Sequence, residues 1–207
     1  MLGSILYRKS LLYELTMVML YGRYYTARYQ AIADLVPAHS SVLDLCCGPG
    51  VLYERFLRRK GVHYTGLDVS QSFVDRVNRI GARGRVWDVA KRNALPPADY
   101  VIMQGALYQF LPEPGPVVER MLEAARKQVI IAEPVRNLAD SNIPLANSFA
   151  RHFTRTGNGA SSGRFTEVTL DLFFNAYMPR VSSAFLIPGG REKVFVLDSA
   201  TKGVALL

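Results

Sequence analysis

From residue 41 onward the chain alternates short apolar runs with amphipathic ones, each ending on a turn or cap signal. Residues 41–47 form a compact apolar run closed by Gly48-Pro49-Gly50, which predicts a buried strand ending in a turn. Residues 51–60 place Val51, Leu52, Phe56 and Leu57 on one side, end in basic residues and stop at Gly61, as a helix does. A second strand is expected over 63–69. Ser70 then reads as the N-cap of a helix with Phe73, Val74, Val77 and Ile80 inward, stopped by Gly81. Further strands are expected over 85–89, 99–104 and 128–132, the last closed by Glu133-Pro134. Between the last two, Pro116 starts a helix that buries Val117, Val118, Met121, Leu122 and Ala125. The tail changes character: a helix over 166–176, then strands over 184–187 and 194–197 joined at Pro188-Gly189-Gly190, a turn tight enough for a hairpin. The pattern predicts an α/β fold, doubly wound around a mostly parallel seven-stranded sheet that ends in an antiparallel pair.

Ahead of this stretch the period is helical. Leu11, Leu15, Val18, Gly22, Tyr25, Tyr29, Ile32 and Val36 step by four and three, and Leu12, Met19, Thr26 and Ala33 widen the stripe into a broad apolar face. Gly22 permits a bend or break that would divide the segment into two helices. Residues 1–38 are therefore read as an N-terminal helical extension and 39–207 as the main domain. The apolar face suits a lid, ordinary core or a dimer contact, the side of Met17, Leu20 and Tyr21 could rest on a membrane surface, and the oligomeric state stays at monomer or homodimer.

Composition narrows the class. Of 207 residues, 49% are hydrophobic and 20% charged, enough for a sizeable core and incompatible with a disordered chain. No run approaches the roughly 18 apolar residues of a spanning helix, and the richest, 11–20, contains Glu14, so no transmembrane segment is expected. The first ten residues lack the layout of a cleaved signal, which makes a cytoplasmic address the expectation. Cys46 and Cys47 are adjacent, unsuited to an ordinary disulfide and without companions at zinc-ligand spacing, so no metal is expected. The 25 basic against 17 acidic residues give +8, a surface that attracts nucleic acid, anionic lipid or acidic small molecules, or is simply solvated.

A glycine turn between a buried strand and a helix brings backbone N–H groups and a helix N-terminus close to a ligand. A nicotinamide dinucleotide asks for G-x-G-x-x-G there; Gly48 and Gly50 fit, but Tyr53 holds the third place. Asp44 lies inside the strand, toward the ligand end, where a carboxylate repels a pyrophosphate and suits a positive amino group. The pattern asks for a cationic, phosphate-free nucleoside.

Residues 42–50, Val-Leu-Asp-Leu-Cys-Cys-Gly-Pro-Gly, resemble the first motif of class I S-adenosylmethionine-dependent methyltransferases, with Cys46 standing where the family usually has glycine. Tyr64-Thr65-Gly66-Leu67-Asp68 resembles the second motif, whose acid accepts hydrogen bonds from the ribose hydroxyls. Trp87-Asp88-Val89 is similar to the loop after the third strand, where an acid binds the adenine amino group. Residues 99–108 and 129–134 resemble the fourth strand with its loop and the fifth strand. The resemblance spans residues 15–199 or so and implies a Rossmann-like fold with S-adenosyl-L-methionine as cofactor. It implies a binding set of Asp44, Cys46, Gly48, Gly50, Asp68, Val69, Asp88, Val89 and Gln104. In related enzymes the segment before the first strand covers the cofactor, with a tyrosine or arginine near its carboxylate. Tyr21, Tyr25, Arg28 and Tyr29 are the candidates, Tyr25 first. Asp68 has a purely structural alternative as a cap for the helix at Ser70, and Asp88 as part of an ordinary loop. Cys46, near a positive ligand and a helix end, would have its thiol pKa lowered there.

The acceptor is less legible. The donor sulfonium is already a good electrophile, so alignment and exclusion of water matter most, and a base only where the acceptor must lose a proton. The loop Gln104-Gly105-Ala106-Leu107-Tyr108 lacks the prolines of amino-methylating nucleic-acid enzymes and the cysteine of cytosine C5 enzymes. Tyr108 is read as orienting the acceptor or packing beneath the cofactor, and His152 as a base or a satisfied histidine. Glu133 could reach the ligand edge or only satisfy backbone groups. The expected activity is direct methyl transfer to an oxygen, nitrogen or carbon of a small molecule, without a covalent enzyme intermediate. The alternatives are an RNA- or protein-directed methyltransferase using the basic surface and a non-catalytic cofactor-binding partner.

Overall fold

The computed structural model describes residues 18, 21–136 and 163–200. Its strands form one seven-stranded sheet in the order β3-β2-β1-β4-β5-β7-β6. β1 (Ser41–Leu45), β2 (His63–Asp68), β3 (Arg83–Val86), β4 (Ala98–Gln104) and β5 (Ala125–Pro134) run parallel. β6 (Val181–Leu186) and β7 (Glu192–Asp198) close the sheet as an antiparallel pair, β7 against β5. This is the predicted architecture, including the hairpin at Pro188-Gly189-Gly190, where the Gly190 N–H donates to the Ile187 carbonyl at 2.8 Å.

Strand alternation divides the apolar residues between two layers. Leu43, Leu45, Leu67, Met103 and Ile131 face one core, covered by α3 (Gly115–Ala124) and α4 (Glu167–Asn175). Val42, Tyr64, Ile102 and Ile130 face the other, covered by α1 (Tyr25–Leu35), the irregular helix around Tyr53–Leu57 and Val77 of α2 (Gln71–Arg79). Local signals set the ends. Thr166 caps α4 in a reciprocal box with Thr169. Lys60 Nζ donates to the Ala33 and Val36 carbonyls at 2.6 and 2.5 Å, so the basic run ahead of Gly61 satisfies the C-terminus of α1. Gly50, at φ +76°, lies where a Cβ would come within 2.9 Å of Val77, so the glycine turn also lets α2 approach.

Three expectations shift. β3 spans Arg83–Val86 rather than 85–89, because Val89 is buried beneath the loop after the strand and not in the ladder. That strand is an exposed edge, so burial leaves no alternation to mark its register. β5 begins at Ala125, directly after α3, three residues before the apolar run that signals it. Val18, placed on the N-terminal stripe, is exposed, whereas Tyr25, Tyr29, Ile32 and Val36 are buried as the period requires, and Tyr21, off that stripe, is buried as well. Gly22, at φ +52°, opens a 3-10 turn over Gly22–Tyr24 that separates α1 from the helical residue before it. Leu11, Leu12 and Leu15 lie outside the described residues. No helix among the described residues is long and apolar enough to cross a membrane.

Candidate cofactor site

The carboxyl ends of β1 and β4 open onto a cleft. Arg28 and Tyr29 of α1, Asp44, Cys46 and Gly48 of the first strand and turn, and Gln104 at the end of β4 line it. Parallel strands with a glycine turn create such a crevice at the sheet edge, where ligands of open α/β sheets bind. Gly48 adopts φ +56° with open space where a Cβ would be, so its backbone faces the cleft bare.

Two carboxylates frame the turn. Asp44 is buried and accepts a hydrogen bond from the Tyr64 hydroxyl at 2.6 Å. Burial pushes its pKa up to about 7, with the Asp68 charge adding to the rise and the Tyr64 hydrogen bond opposing it. Asp68, at the end of β2, accepts from the Gly48 N–H at 2.9 Å and from the Ser70 N–H at 2.8 Å. It therefore braces the glycine turn and the start of α2 together, and burial raises its pKa against those two hydrogen bonds. An ionised carboxylate has about four lone-pair sites, so these bonds leave acceptor capacity for a ligand hydroxyl.

Cys46 takes φ +56°, the left-handed conformation for which glycine is the usual residue. Its thiol pKa is raised well above the ordinary cysteine range, by burial first and then by Asp68 and Asp44. This corrects the expectation of a lowered value: burial against the core, reinforced by the neighbouring carboxylates, outweighs any helix terminus.

The remaining expected residues fall into three groups. Val69 is exposed just past Asp68, and Asp88 is exposed with its carboxylate accepting from the Ala90 N–H at 3.0 Å. Val89 is a core residue, and Arg120 of α3 holds its loop by donating to the Val89 and Lys91 carbonyls at 2.6 Å each. Tyr25, the first choice on the N-terminal segment, is buried with its ring edge-on to Tyr29 at 5.5 Å; its neighbours Arg28 and Tyr29 are the residues that reach the cleft. Tyr108 packs partly buried against the α3–α4 core, with the Arg164 guanidinium 3.9 Å over its ring. His152 lies outside the described residues.

Two further acids complete the edge: Glu192, which the sequence did not single out, and Glu133, which satisfies backbone as one of its two readings had it. Glu192 of β7 is 1% exposed and pairs with Arg28 Nη2 at 2.7 Å. It also accepts from the Tyr21 hydroxyl at 2.5 Å and from Gln104 Nε2 at 3.3 Å. The signal was in the alternation, because Glu192 shares the inward face of Val194 and Val196. Glu133, fully buried on β5, accepts from the Leu107 N–H at 2.5 Å and so grips the loop after β4, while among the described residues its Oε2 meets no partner. Burial pushes its pKa up to about 8 against the backbone hydrogen bonds it accepts.

Residues 26–140 match the family model described as methionine biosynthesis protein MetW. Solved structures share the fold. A TehB-like S-adenosylmethionine-dependent methyltransferase of Corynebacterium glutamicum aligns at TM-score 0.56 and 18% identity, over 83% of this chain and 86% of its own. The magnesium protoporphyrin IX methyltransferase of Synechocystis, solved with bound S-adenosylhomocysteine, aligns at 0.59 and 13%, over 89% and 93%. An O-methyltransferase family 2 protein of Planctomyces limnophilus, in complex with apigenin, aligns at 0.62 and 15%, over 93% and 61%. No curated protein sequence matches the chain.

Proposed function

Given that the chain belongs to the family of the methionine biosynthesis protein MetW, we propose that it transfers a methyl group from S-adenosylmethionine to a small-molecule acceptor. The observation that carries this reading is the pair of buried carboxylates, Asp44 and Asp68, on either side of a bare glycine turn. In a chain of net charge +8, this edge holds buried acids, so the donor set suits a ligand with cationic and hydroxyl groups and repels a pyrophosphate.

When bound, S-adenosylmethionine would supply an electrophilic methyl group on its sulfonium. The chain's part is to bind, orient and exclude water. Asp44 supplies counter-charge at the cationic end, Gly48 and Cys46 let the backbone approach, and Asp68 accepts from the ribose hydroxyls. Val69, Asp88 and Val89 form the adenine side. Arg28, Tyr29 and Gln104 wall the amino-acid end, with Tyr25 behind them. Gly50 acts one step back, by seating α2. Tyr108 and His152 belong to the acceptor side. Residues 1–38 act as a lid over a cofactor domain of residues 39–207.

Titration calorimetry tests the assignment. S-adenosylmethionine and S-adenosylhomocysteine should bind and NAD should not. Asp68→Ala should weaken binding by about 1.5–3 kcal/mol, the range for hydrogen bonds to a charged group. Tight NAD binding with no response to S-adenosylmethionine would overturn it.

A further inference from the structure

A second, shallow cleft lies beside the first at the same edge of the sheet. Tyr21, Tyr24, Ile187 and Pro188 give it apolar walls, and Arg28, Arg191 and Glu192 supply its charges. Its position follows from the topology. The β6–β7 turn returns to the carboxyl end of β5, because Pro134 pairs with Glu192, and the Val135 N–H donates to the Arg191 carbonyl at 2.9 Å. Gly189 is the close-approach point: a Cβ there would come within 2.7 Å of the Tyr24 ring, so the glycine lets the turn lie flat under that tyrosine. Arg28 lines both clefts, and it pairs with Glu192 in the wall of the second.

The charges do not cancel. Arg28 and Glu192 neutralise each other at 2.7 Å, and Gln104 and Tyr21 satisfy the carboxylate further. Arg191 is left over. Arg136 joins it, its guanidinium resting over Gly190, where a Cβ would be 3.3 Å from Nη2. Among the described residues, neither Arg136 nor Arg191 meets an acid. A partly desolvated guanidinium beside aromatic and proline walls recognises an anion carried on an apolar body. Among the described residues that line the cleft, Arg191 carries the one charge left unbalanced, so the lining matches a monoanion such as a carboxylate.

We propose that this cleft binds the carboxylate end of the methyl acceptor, a small organic acid with an apolar or aromatic body, through Arg191 with Arg136 in support. The inference rests on the methyltransferase reading for the word acceptor; the carboxylate site itself does not depend on it.

The test is a titration of the full chain with benzoate, benzamide and phenyl phosphate, with and without saturating S-adenosylhomocysteine. Benzoate should bind and benzamide should bind at least about tenfold more weakly. Arg191→Gln should weaken benzoate by about tenfold or more, and Arg136→Gln by less, with S-adenosylhomocysteine affinity unchanged in both. Arg191→Lys should recover part of the loss, since it keeps the charge without the fork. Equal binding of benzoate and benzamide, tighter binding of phenyl phosphate, no benzoate binding, or benzoate binding indifferent to Arg191→Gln would each overturn the proposal. If S-adenosylhomocysteine fails to bind while benzoate behaves as expected, the methyltransferase reading falls and the carboxylate site stands.

Discussion

Asp44 and Glu133 are held in conditions that oppose their ionisation. Each lies on a parallel strand near its carboxyl end, fully or nearly fully buried, and their pKa values are pushed up to about 7 and about 8. The unfolded chain ionises both near the ordinary carboxylate range, so between that range and the folded values the native state holds the extra proton. Stability on this account is unaffected below the ordinary carboxylate range and falls as pH climbs from there toward about 7 for Asp44 and about 8 for Glu133. Asp44→Asn keeps an acceptor for Tyr64 and removes the charge, so its Tm should exceed the parent's by several degrees at about pH 8 and match it near pH 4. Thermal melts at the two pH values check this, and a variant no more stable than the parent at the higher pH contradicts it. Glu133→Gln, which still accepts from Leu107, should follow the same profile. Such unfavourable burial persists where a ligand rewards it.

The elements show what a single sequence reveals. β1, β2, α2 and the tail hairpin were legible because apolar runs end there on glycine or a cap, and α4 was legible to within one residue at each end. The edge strand β3 was not, since Arg83, Arg85 and Val86 are exposed and no burial period fixes it. The cofactor turn was legible in Asp44, Gly48, Gly50 and Asp68 because their spacing is local. The Arg28–Glu192–Tyr21 network was not, because its partners are 164 and 171 positions apart (192 − 28 and 192 − 21) and meet only through sheet topology. That network ties the segment before α1 to β7. Glu192→Gln strips the counter-ion from a buried arginine and should cost about 3–5 kcal/mol. Tyr21→Phe removes one hydrogen bond to a charged group and should cost about 1.5–3 kcal/mol. Denaturant unfolding of both variants measures the order, and a Glu192→Gln loss smaller than that of Tyr21→Phe would contradict a network centred on the carboxylate.

At the scale of the whole molecule, charge is separated. The net +8 is carried on the outside, with Arg55, Arg58, Arg59, Arg79, Arg83 and Arg85 all exposed, while Asp44, Asp68, Glu133 and Glu192 are buried. An acidic interior edge inside a basic shell draws a cation to the cleft and keeps solvent anions on the surface. The same separation makes ligand binding a proton-linked event. With a pKa near 7, Asp44 is largely protonated below neutrality, and a cationic ligand that requires its charge must expel that proton. S-adenosylhomocysteine keeps its amino group protonated below about pH 7.7. Its affinity should therefore rise as pH increases from about 5.5 to 7, approaching tenfold per pH unit well below the Asp44 pKa. Calorimetry in buffers of different ionisation enthalpy should register close to one proton released per ligand at the acid end of that range. Asp44→Asn should bind more weakly than the parent near neutral pH, with a flat pH profile and no proton release. A flat profile in the parent chain would remove Asp44 from the cationic end of the site.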